Sequence, residues 1–292
     1  MDGNDQRVIK ALGSINEIAQ ADWDACAGTD NPFVRYAFLS ALEDSGSATD
    51  ETGWIPRHLV IETPDGRVEA CAPLYIKTHS YGEYIFDWGW ADAYERAGGR
   101  YYPKMQCAVP FTPAPGPRIL VSPDTDPALR EELQKLMLAG MTRVADQLKV
   151  SSAHITFCNK DLWELGQDLG YLQRVNQQFH WHNRGYEDFD DFLSALASRK
   201  RKSIRKERKK VADIGLDIRT LGGGELEERH WDAFFQFYMS TTDKKWGQSY
   251  LHREFFSMLG ERMPESVVMV MAFDGERPVA GALNLKGADC LY

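Results

Sequence analysis

A short segment near residue 200 concentrates positive charge to an unusual degree. Residues 199–210, R-K-R-K-S-I-R-K-E-R-K-K, include nine basic residues and one acid, so they carry +8 in a chain of −9. Nine cations this close repel one another, and exposed ion pairs offset little of that repulsion. An anionic partner explains the segment better than the alternative of a solvated helix face, and it could be a phosphodiester, a pyrophosphate or an anionic surface. We expect Arg199, Lys202, Arg205 and Arg208 to bind this anion.

Two smaller groups of residues could bind and orient a substrate amine. Asp87 and Trp88 fall in an aromatic run that is predicted to end a strand, where a ring and a carboxylate can hold a cation. The alternative is a set of core aromatics with a capping aspartate. Lys244 and Trp246 lie in a loop predicted between two helices, and the alternative there is a solvated loop.

The sequence shows no sign of a metal site or of a covalent nucleophile. His180 and His182 alternate on a predicted strand and share a face, but no third ligand is evident, so we expect no metal. There is no G-x-S-x-G motif and no recognisable Cys-His pair. The catalytic residues of any enzyme activity therefore stay unassigned.

Composition indicates a protein of the cytoplasm. The 5 cysteines are odd in number and widely scattered, which is typical of reduced thiols. The N-terminus is polar and acidic, unlike a signal peptide. No apolar run approaches the ~20 residues that a transmembrane helix needs, so we expect no membrane-spanning segment.

Hydrophobic periodicity and turn residues predict the elements that must position these groups. Predicted strands are 8–12, 58–62, 68–77, 84–90, 105–109, 153–157, 175–182, 216–221, 267–273 and 278–285. Predicted helices are 21–27, 33–44, 126–149, 160–169, 225–241 and 249–259, with the basic segment forming one helix or two joined near Ser198. Strands and helices mixed in this order predict an α/β or α+β layer fold.

The order of these elements and of several short motifs recurs. Leu-Gly, Trp-Asp-Ala, Thr-Asp and Asp-Gly appear in the same order in both parts of the chain, and the two Asp-Gly turns are 209 residues apart. We therefore predict a duplicated unit, with domains at 1–183 and 184–292. By this alignment the second unit lacks roughly 100 residues, and the chain is expected to be a fragment of a protein of roughly 390 residues.

Three motifs resemble a known family. F-D-W-G-W-A-D-A-Y (86–94), S-R-K-R-K-S-I-R-K-E-R (198–208) and T-D-K-K-W-G-Q-S-Y-L (242–251) are similar to FemAB-like predicted N-acyltransferases of bacteria, within the GNAT superfamily. The resemblance implies tandem GNAT-like (acyl-CoA N-acyltransferase-like) domains, the second incomplete. It implies transfer of an acyl or aminoacyl group from acyl-CoA or aminoacyl-tRNA to an amine, such as that of a peptidoglycan-type precursor. These donors would be co-substrates rather than permanently bound cofactors.

One region departs from the ordinary GNAT pattern. GNAT enzymes hold the CoA pyrophosphate on backbone N–H groups of a glycine-rich loop, whereas residues 113–127 here are rich in proline, which has no N–H to donate. Gly116 and Arg118 alone make a poor phosphate cradle, so the first domain is expected to bind the acceptor or to be structural. The expected partner is a phosphate-bearing donor or acceptor. A tRNA is a candidate for it, whereas DNA is not expected. The alternative functions are a non-catalytic module that binds RNA or an anionic surface, and a degenerate scaffold.

Overall fold

The computed structural model describes residues 7–85, 87–244 and 249–292. The helices are α1 (Gln20–Ala27), α2 (Tyr36–Asp44), α3 (Trp88–Arg96), α4 (Pro127–Leu148), α5 (Lys160–Asp168), α6 (Phe189–Ser194), α7 (Ser198–Ile214), α8 (Glu228–Lys244) and α9 (Arg253–Arg262). The strands are β1 (Val8–Leu12), β2 (Trp54–Pro56), β3 (His58–Glu62), β4 (Val68–Ala72), β5 (Leu74–Lys77), β6 (Lys104–Cys107), β7 (Leu120–Val121), β8 (Ala153–Ile155), β9 (Asp217–Gly222), β10 (Val267–Asp274) and β11 (Arg277–Leu285). The predicted mixed α/β class is confirmed.

The strands form three sheets, in the orders β1-β3-β4-β7, β2-β5-β6-β8 and β9-β10-β11. Neighbouring strands are antiparallel except β6 and β8, which are parallel. The predicted strand 68–77 is divided between two sheets, because β4 ends at Ala72 and β5 begins at Leu74. Pro73 lies at the division and has no N–H to continue a ladder. This division carries the chain from the first sheet into the second, which holds the candidate site.

Helix α4 shows the clearest agreement between sequence and structure. Asp126 accepts hydrogen bonds from the N–H groups of Ala128 (2.9 Å) and Leu129 (3.4 Å), and Pro127 is the first helical residue. These are the preferred residues at the N-cap and at the first position. The apolar stripe of α4 packs on the first two sheets, with Leu133, Met137 and Met141 buried in their shared core.

Three sequence predictions are wrong in detail. In the predicted strand 84–90, α3 begins at Trp88, and the rings of Trp88 and Trp90 are exposed on this helix, whereas Phe86 lies outside the described residues. The β-propensity of aromatic residues depends on context. The predicted strand 175–182 has no regular structure: its side chains are exposed, as Phe179 is at 89%, so their alternation did not reflect burial. The predicted helix 33–44 is interrupted, because Asn31 caps a separate 3-10 turn at Pro32–Val34 before α2 begins.

The C-terminal segment (residues 184–292), which we also call the second segment, packs on the N-terminal or first segment (residues 7–183) through α9 and α2. The rings of Phe38 and Phe255 meet edge to face at 5.6 Å, and Arg262 pairs with Asp44 at 2.7 Å. The larger hydrophobic core contains buried residues from both segments. Both segments contain a strand, two helices and an antiparallel hairpin in that order. A shared order of elements does not establish duplication, so the tandem GNAT-like architecture stays a prediction.

The structure also bears on membrane association. Within residues 7–85, 87–244 and 249–292, no helix has both the length and the apolar character needed to cross a bilayer.

Candidate functional site

The second sheet has one apolar face and one polar face. Side chains alternate between the faces of a strand, and the pairing places Lys77 opposite Lys104, Tyr75 opposite Gln106, and Gln106 opposite His154. On the other side of β5, Trp54 of β2 lies opposite Lys77. We call this surface the polar face and define it by Trp54, Tyr75, Lys77, Lys104, Gln106 and His154. The intervening residues of β5 and β6 point into the apolar core under α4: Leu74, Ile76, Met105 and Cys107.

A buried ion cluster lies at the Lys104 end of the polar face. The Nζ atom of Lys104 is 2.7 Å from Oε2 of Glu83 and 2.5 Å from Oδ2 of Asp87. The Tyr101 hydroxyl donates to the same Asp87 oxygen at 2.8 Å. The Lys104 side chain is 1% exposed, and both carboxylates are almost equally buried. Because buried charges are tolerated when they are paired and hydrogen-bonded, the cluster can retain its charges away from water.

The two carboxylates respond differently to burial. Burial alone would raise the pKa of Asp87, but the hydrogen bond and charge of Lys104, with the hydrogen bond from Tyr101, bring that pKa below its usual value. Burial raises the pKa of Glu83, and Lys104 and Lys77 offset only part of this. Asp87 is therefore the fixed anion of the cluster, whereas Glu83 is the carboxylate more easily protonated.

Lys77 is a buried amine held without a direct carboxylate contact among the described residues. Its Nζ atom donates to the carbonyl oxygen of Tyr81 at 3.3 Å and lies 3.8 Å from the ring centroid of Trp54. Burial lowers the pKa of Lys77 to about 7, with the charge of Lys104 acting in the same direction. Near neutral pH this amine is therefore partly uncharged, which an ordinary lysine is not.

His154 lies where the polar face reaches the edge of the sheet. Its Nε2 atom is 2.7 Å from Oγ of Ser152, and both residues are half-buried. Burial, and next the charge of Lys104, lower the pKa of His154 to about 4. The imidazole is therefore neutral at pH 7 and a weak base.

Four buried polar atoms on or beside the polar face have no hydrogen-bond partner among the described residues. They are Nε1 of Trp54, the hydroxyl of Tyr75, Oε1 of Glu83 and Oε1 of Gln106. Each such atom costs about 1–3 kcal/mol of stability if nothing pairs with it. The Gln106 oxygen and the oxygen of an ionised Glu83 can only accept, and the Trp54 nitrogen can only donate. The face therefore has unused capacity to bind a group that offers both donors and an acceptor.

The proline-rich segment before α4 is anchored inward. Arg118 is 1% exposed and donates to the backbone oxygens of Ala114 (2.8 Å), Pro117 (3.1 Å) and Thr156 (2.9 Å). Burial lowers its pKa to about 10. Its guanidinium is thus occupied with backbone carbonyls and is not directed at an external phosphate.

The two residues of the predicted amine site, Asp87 and Trp88, lie in different surroundings. Asp87 lies within the buried cluster, immediately before α3. Trp88 is the first residue of α3 rather than part of a strand end. It is 60% exposed, and its indole N–H donates to the hydroxyl of Ser80 at 2.7 Å. The structure therefore brings Asp87, but not the ring of Trp88, to the polar face.

The second predicted pair is only partly described. Lys244 was predicted to lie in a loop, but it is the last residue of α8 and is exposed. Trp246 lies outside the described residues. A role for either residue at a transfer centre stays a prediction.

The basic segment forms α7, joined to the short helix α6 near Ser198 as predicted. Gly215 ends α7 with φ of 79°, a conformation that glycine adopts without strain. No residue of α7 is buried, and Arg199, Lys202, Arg205 and Arg208 are exposed. Arg205 pairs with Asp190 at 2.9 Å. The guanidinium of Arg208 lies 4.0 Å from the ring centroid of Phe189.

In the described part of the chain, no group of three or more His, Cys, Asp and Glu side chains could hold a metal ion. His180 and His182 have ring centroids 6.4 Å apart on an exposed segment, not on a strand. The five cysteines are all free, three of them buried.

Comparison with known proteins identifies the family of this chain. A sequence model of FemAB-like proteins, described by peptidoglycan biosynthesis and recognition, matches residues 14–292. This chain belongs to the FemAB-like family. The FemAB-like assignment supports a peptidoglycan-related transferase role in general terms. No curated protein matches the chain.

Sequence reasoning missed most of the polar face, although a signal was present. Strands β5 and β6 each place two polar residues two positions apart, Tyr75 and Lys77 in one and Lys104 and Gln106 in the other. This alternation identifies the polar side of each strand. It does not show that the two strands are neighbours.

Proposed function

We propose that this FemAB-like chain is an N-acyltransferase that moves an acyl or aminoacyl group from acyl-CoA or aminoacyl-tRNA to an amine acceptor, and that the acceptor is a peptidoglycan-type precursor. The observation that carries the proposal is the polar face, where a buried carboxylate with a spare acceptor oxygen lies near a lysine of lowered pKa. A primary amine needs such surroundings: an acceptor for its N–H groups and a base for its proton.

Transfer would be direct. The amine nitrogen attacks the carbonyl carbon of the donor, and the bond from that carbon to the oxygen of tRNA or the sulfur of CoA breaks. The amine loses one proton to a base, and the leaving oxygen or sulfur is protonated. Lys77, with a pKa of about 7, is better matched to accept that proton at neutral pH than His154, with a pKa of about 4.

The buried cluster would hold the acceptor. Glu83 presents Oε1 without a partner among the described residues, whereas its Oε2 and the Oδ2 of Asp87 are fixed by Lys104. An amine N–H could therefore donate to Glu83 without breaking the cluster. Asp87 would act as a positioning residue, because it fixes Lys104 and through it Glu83.

The basic helix would bind the phosphates of the donor, through Arg199, Lys202, Arg205 and Arg208. At 1.5 Å per residue, the segment 199–210 is roughly 17 Å long. A single pyrophosphate can meet only a turn or two of such a helix, whereas a nucleic-acid backbone can follow all of it. The length of the cationic array thus favours tRNA over CoA as the donor's phosphate-bearing part.

A second candidate function is a non-catalytic module that binds RNA or an anionic surface. The exposure of α7 favours it, because all four of its named cations are exposed and none belongs to the polar face. Under this alternative, binding would persist when the buried cluster is altered.

The test is N-acyl transfer to a peptidoglycan precursor peptide with a free amine, followed by mass spectrometry. Charged tRNA and acetyl-CoA are supplied separately as donors. Asp87→Asn should reduce the rate strongly, whereas the matched variant Asp92→Asn should not, since Asp92 is an exposed residue paired with Arg96 on α3. Tight tRNA binding without product from either donor would replace the transferase proposal with the binding module.

A further inference from the structure

Three aromatic rings cover the Trp54 end of the polar face. Phe111 lies 5.5 Å from Trp54, ring centroid to ring centroid. Tyr250, from the C-terminal segment, stacks on Phe111 at 5.2 Å with an interplanar angle of 11°. Tyr84 meets Tyr250 edge to face at 6.4 Å. We call Tyr84, Phe111 and Tyr250 the aromatic lid. Trp54 beneath it is 1% exposed, whereas Tyr84 is 46% exposed, so the lid covers the Trp54 end of the polar face.

The lid lies directly over an unpaired donor. A Cβ atom built on Gly82 would lie 2.5 Å from Cδ1 of Phe111 and 3.3 Å from Nε1 of Trp54. The Phe111 ring and the indole N–H therefore both approach the bare Cα of Gly82. That N–H is one of the four buried polar atoms without a hydrogen-bond partner among the described residues.

The backbone of the lid is strained where it meets the C-terminal segment. Tyr84 and Phe111 have φ values of 54° and 60°, a region that residues other than glycine seldom adopt. Each such residue costs of order 1 kcal/mol or more and persists when the surrounding structure requires it. Tyr84 and Phe111 both contact the same ring, that of Tyr250.

Tyr250 is held in place from both sides. Its backbone N–H donates to the Tyr238 hydroxyl on α8 at 2.8 Å, and the N–H of Leu251 donates to the same oxygen at 3.2 Å. Further along, His252 bonds to the N-terminal segment through the carbonyl of Ser45 at 2.8 Å. His252 also donates its backbone N–H to the Ser47 hydroxyl at 3.0 Å, so two hydroxyls and one imidazole fix this stretch, and displacement of Tyr250 would break these bonds.

We propose that the aromatic lid closes a binding site on the polar face, and that this site takes a small group bearing both N–H donors and a carbonyl acceptor. The two unpaired acceptors, Glu83 Oε1 and Gln106 Oε1, would receive the N–H groups, and the Trp54 N–H would donate to the carbonyl. The inference rests on the proposed function and deepens it, because it assigns to Tyr250 of the second segment the control of access to a site in the first.

Glycinamide is a suitable probe, since it carries an ammonium group and an amide carbonyl in one small molecule. The indole ¹H–¹⁵N cross-peak of Trp54, one of 8 tryptophans, reports on the site and can be assigned with Trp54→Phe. We expect a saturable shift of this peak on titration of the wild-type protein. Gln106→Leu removes one acceptor and should weaken binding by about tenfold.

Tyr250→Ala tests the lid. We expect the Trp54 N–H to exchange with water at least tenfold faster than in the wild type, and the half-saturation concentration of glycinamide to change at least threefold. Tyr238→Phe, which removes only the anchoring hydroxyl, should change both in the same direction by less. Tyr36→Phe is the matched control, because its hydroxyl bonds to Asn16 away from the lid, and it should change neither.

Absence of a saturable shift in the wild type and in every lid variant would mean that the face is merely hydrated, and the site proposal would be lost. An unchanged exchange rate and half-saturation in both Tyr250→Ala and Tyr238→Phe would remove the lid. Both readouts are independent of catalysis, so binding of glycinamide without transfer activity would overturn only the proposed function.

Discussion

The polar face and the basic helix use the same residue types in opposite surroundings. At the polar face, Lys104, Glu83 and Asp87 are almost fully buried and pair with one another. On α7, Arg199, Lys202 and Arg208 are exposed. Burial makes each charge of the first group depend on its immediate neighbours, and shifts the pKa of Lys77 beside it. The exposed charges of the second group instead act together through their summed electrostatic field, which salt screens. Chemistry on a single amine fits the first group, and binding of a polyanion fits the second.

The largest effect should come from removing the central cation of the buried cluster. Lys104→Met leaves two buried carboxylates without their ion-pair partner, and breaking a buried pair in this way costs about 3–5 kcal/mol. Urea unfolding measures the loss. Lys135→Met is the matched control, because Lys135 forms an exposed pair with Glu131 on α4, and its free energy of unfolding should change little. Equal losses in both variants would contradict the contrast between buried and exposed charges.

The second effect depends on pH. The pKa of Lys77 is about 7 in the folded protein, below its ordinary value. Between pH 7 and about 10.4 the unfolded chain therefore binds more protons than the folded one at this residue, and its contribution makes stability rise with pH. Below pH 7 both states are protonated, and the folded state bears the full cost of a buried charge.

Lys77→Met removes this penalty. The variant should be more stable than the wild type by up to a few kcal/mol at pH 6, and the gain should shrink steadily as pH rises to 10. Thermal unfolding across this range measures the difference. Lys160→Met, at an exposed residue paired with Glu164, supplies the control and should give a flat difference. A stability difference independent of pH in Lys77→Met would show that its amine keeps an ordinary pKa.

The third effect concerns binding rather than stability. Replacing Arg199, Arg205 and Arg208 together with Ala should make the dependence of log K for tRNA on log salt less steep. The magnitude of the slope should fall by about 0.9 for each phosphate that is no longer neutralised, or roughly three in total. The free energy of unfolding should change little, because exposed pairs such as Arg205–Asp190 contribute about 0–1 kcal/mol. Filter binding at a series of salt concentrations gives the slope. An unchanged slope would remove α7 from the anion site.

Local signals predicted many of the elements. The cap at Asp126, the glycine that ends α7 and the hairpin of β10 and β11 were all readable, because each depends on residues adjacent in sequence. The prediction of a strand at 84–90 was wrong. Its aromatic residues have high strand propensity, but α3 starts at Trp88. Its start follows Asp87, whose position is set by Lys104 and Tyr101, and no local pattern reports those contacts.

The polar face shows the same limit. The alternation within β5 and within β6 is visible in sequence, but their antiparallel pairing and the parallel pairing of β6 with β8 join strands separated by long connections. The low pKa of Lys77 arises from that assembly. For this reason Asp87 could be named from the sequence as a candidate, whereas the lysine partner that fixes it could not.

The packing of α2 against α9 has a consequence for how this protein can fold. Since Phe38 and Phe255 belong to one continuous core, neither segment can bury all of its apolar surface alone, although the N-terminal segment also has a second core under α4. The two segments should therefore melt in a single cooperative transition, and a chain cut at residue 183 should expose the α2 surface and aggregate. Any change that loosens Tyr250 would act on a structure whose two parts already share their folding free energy.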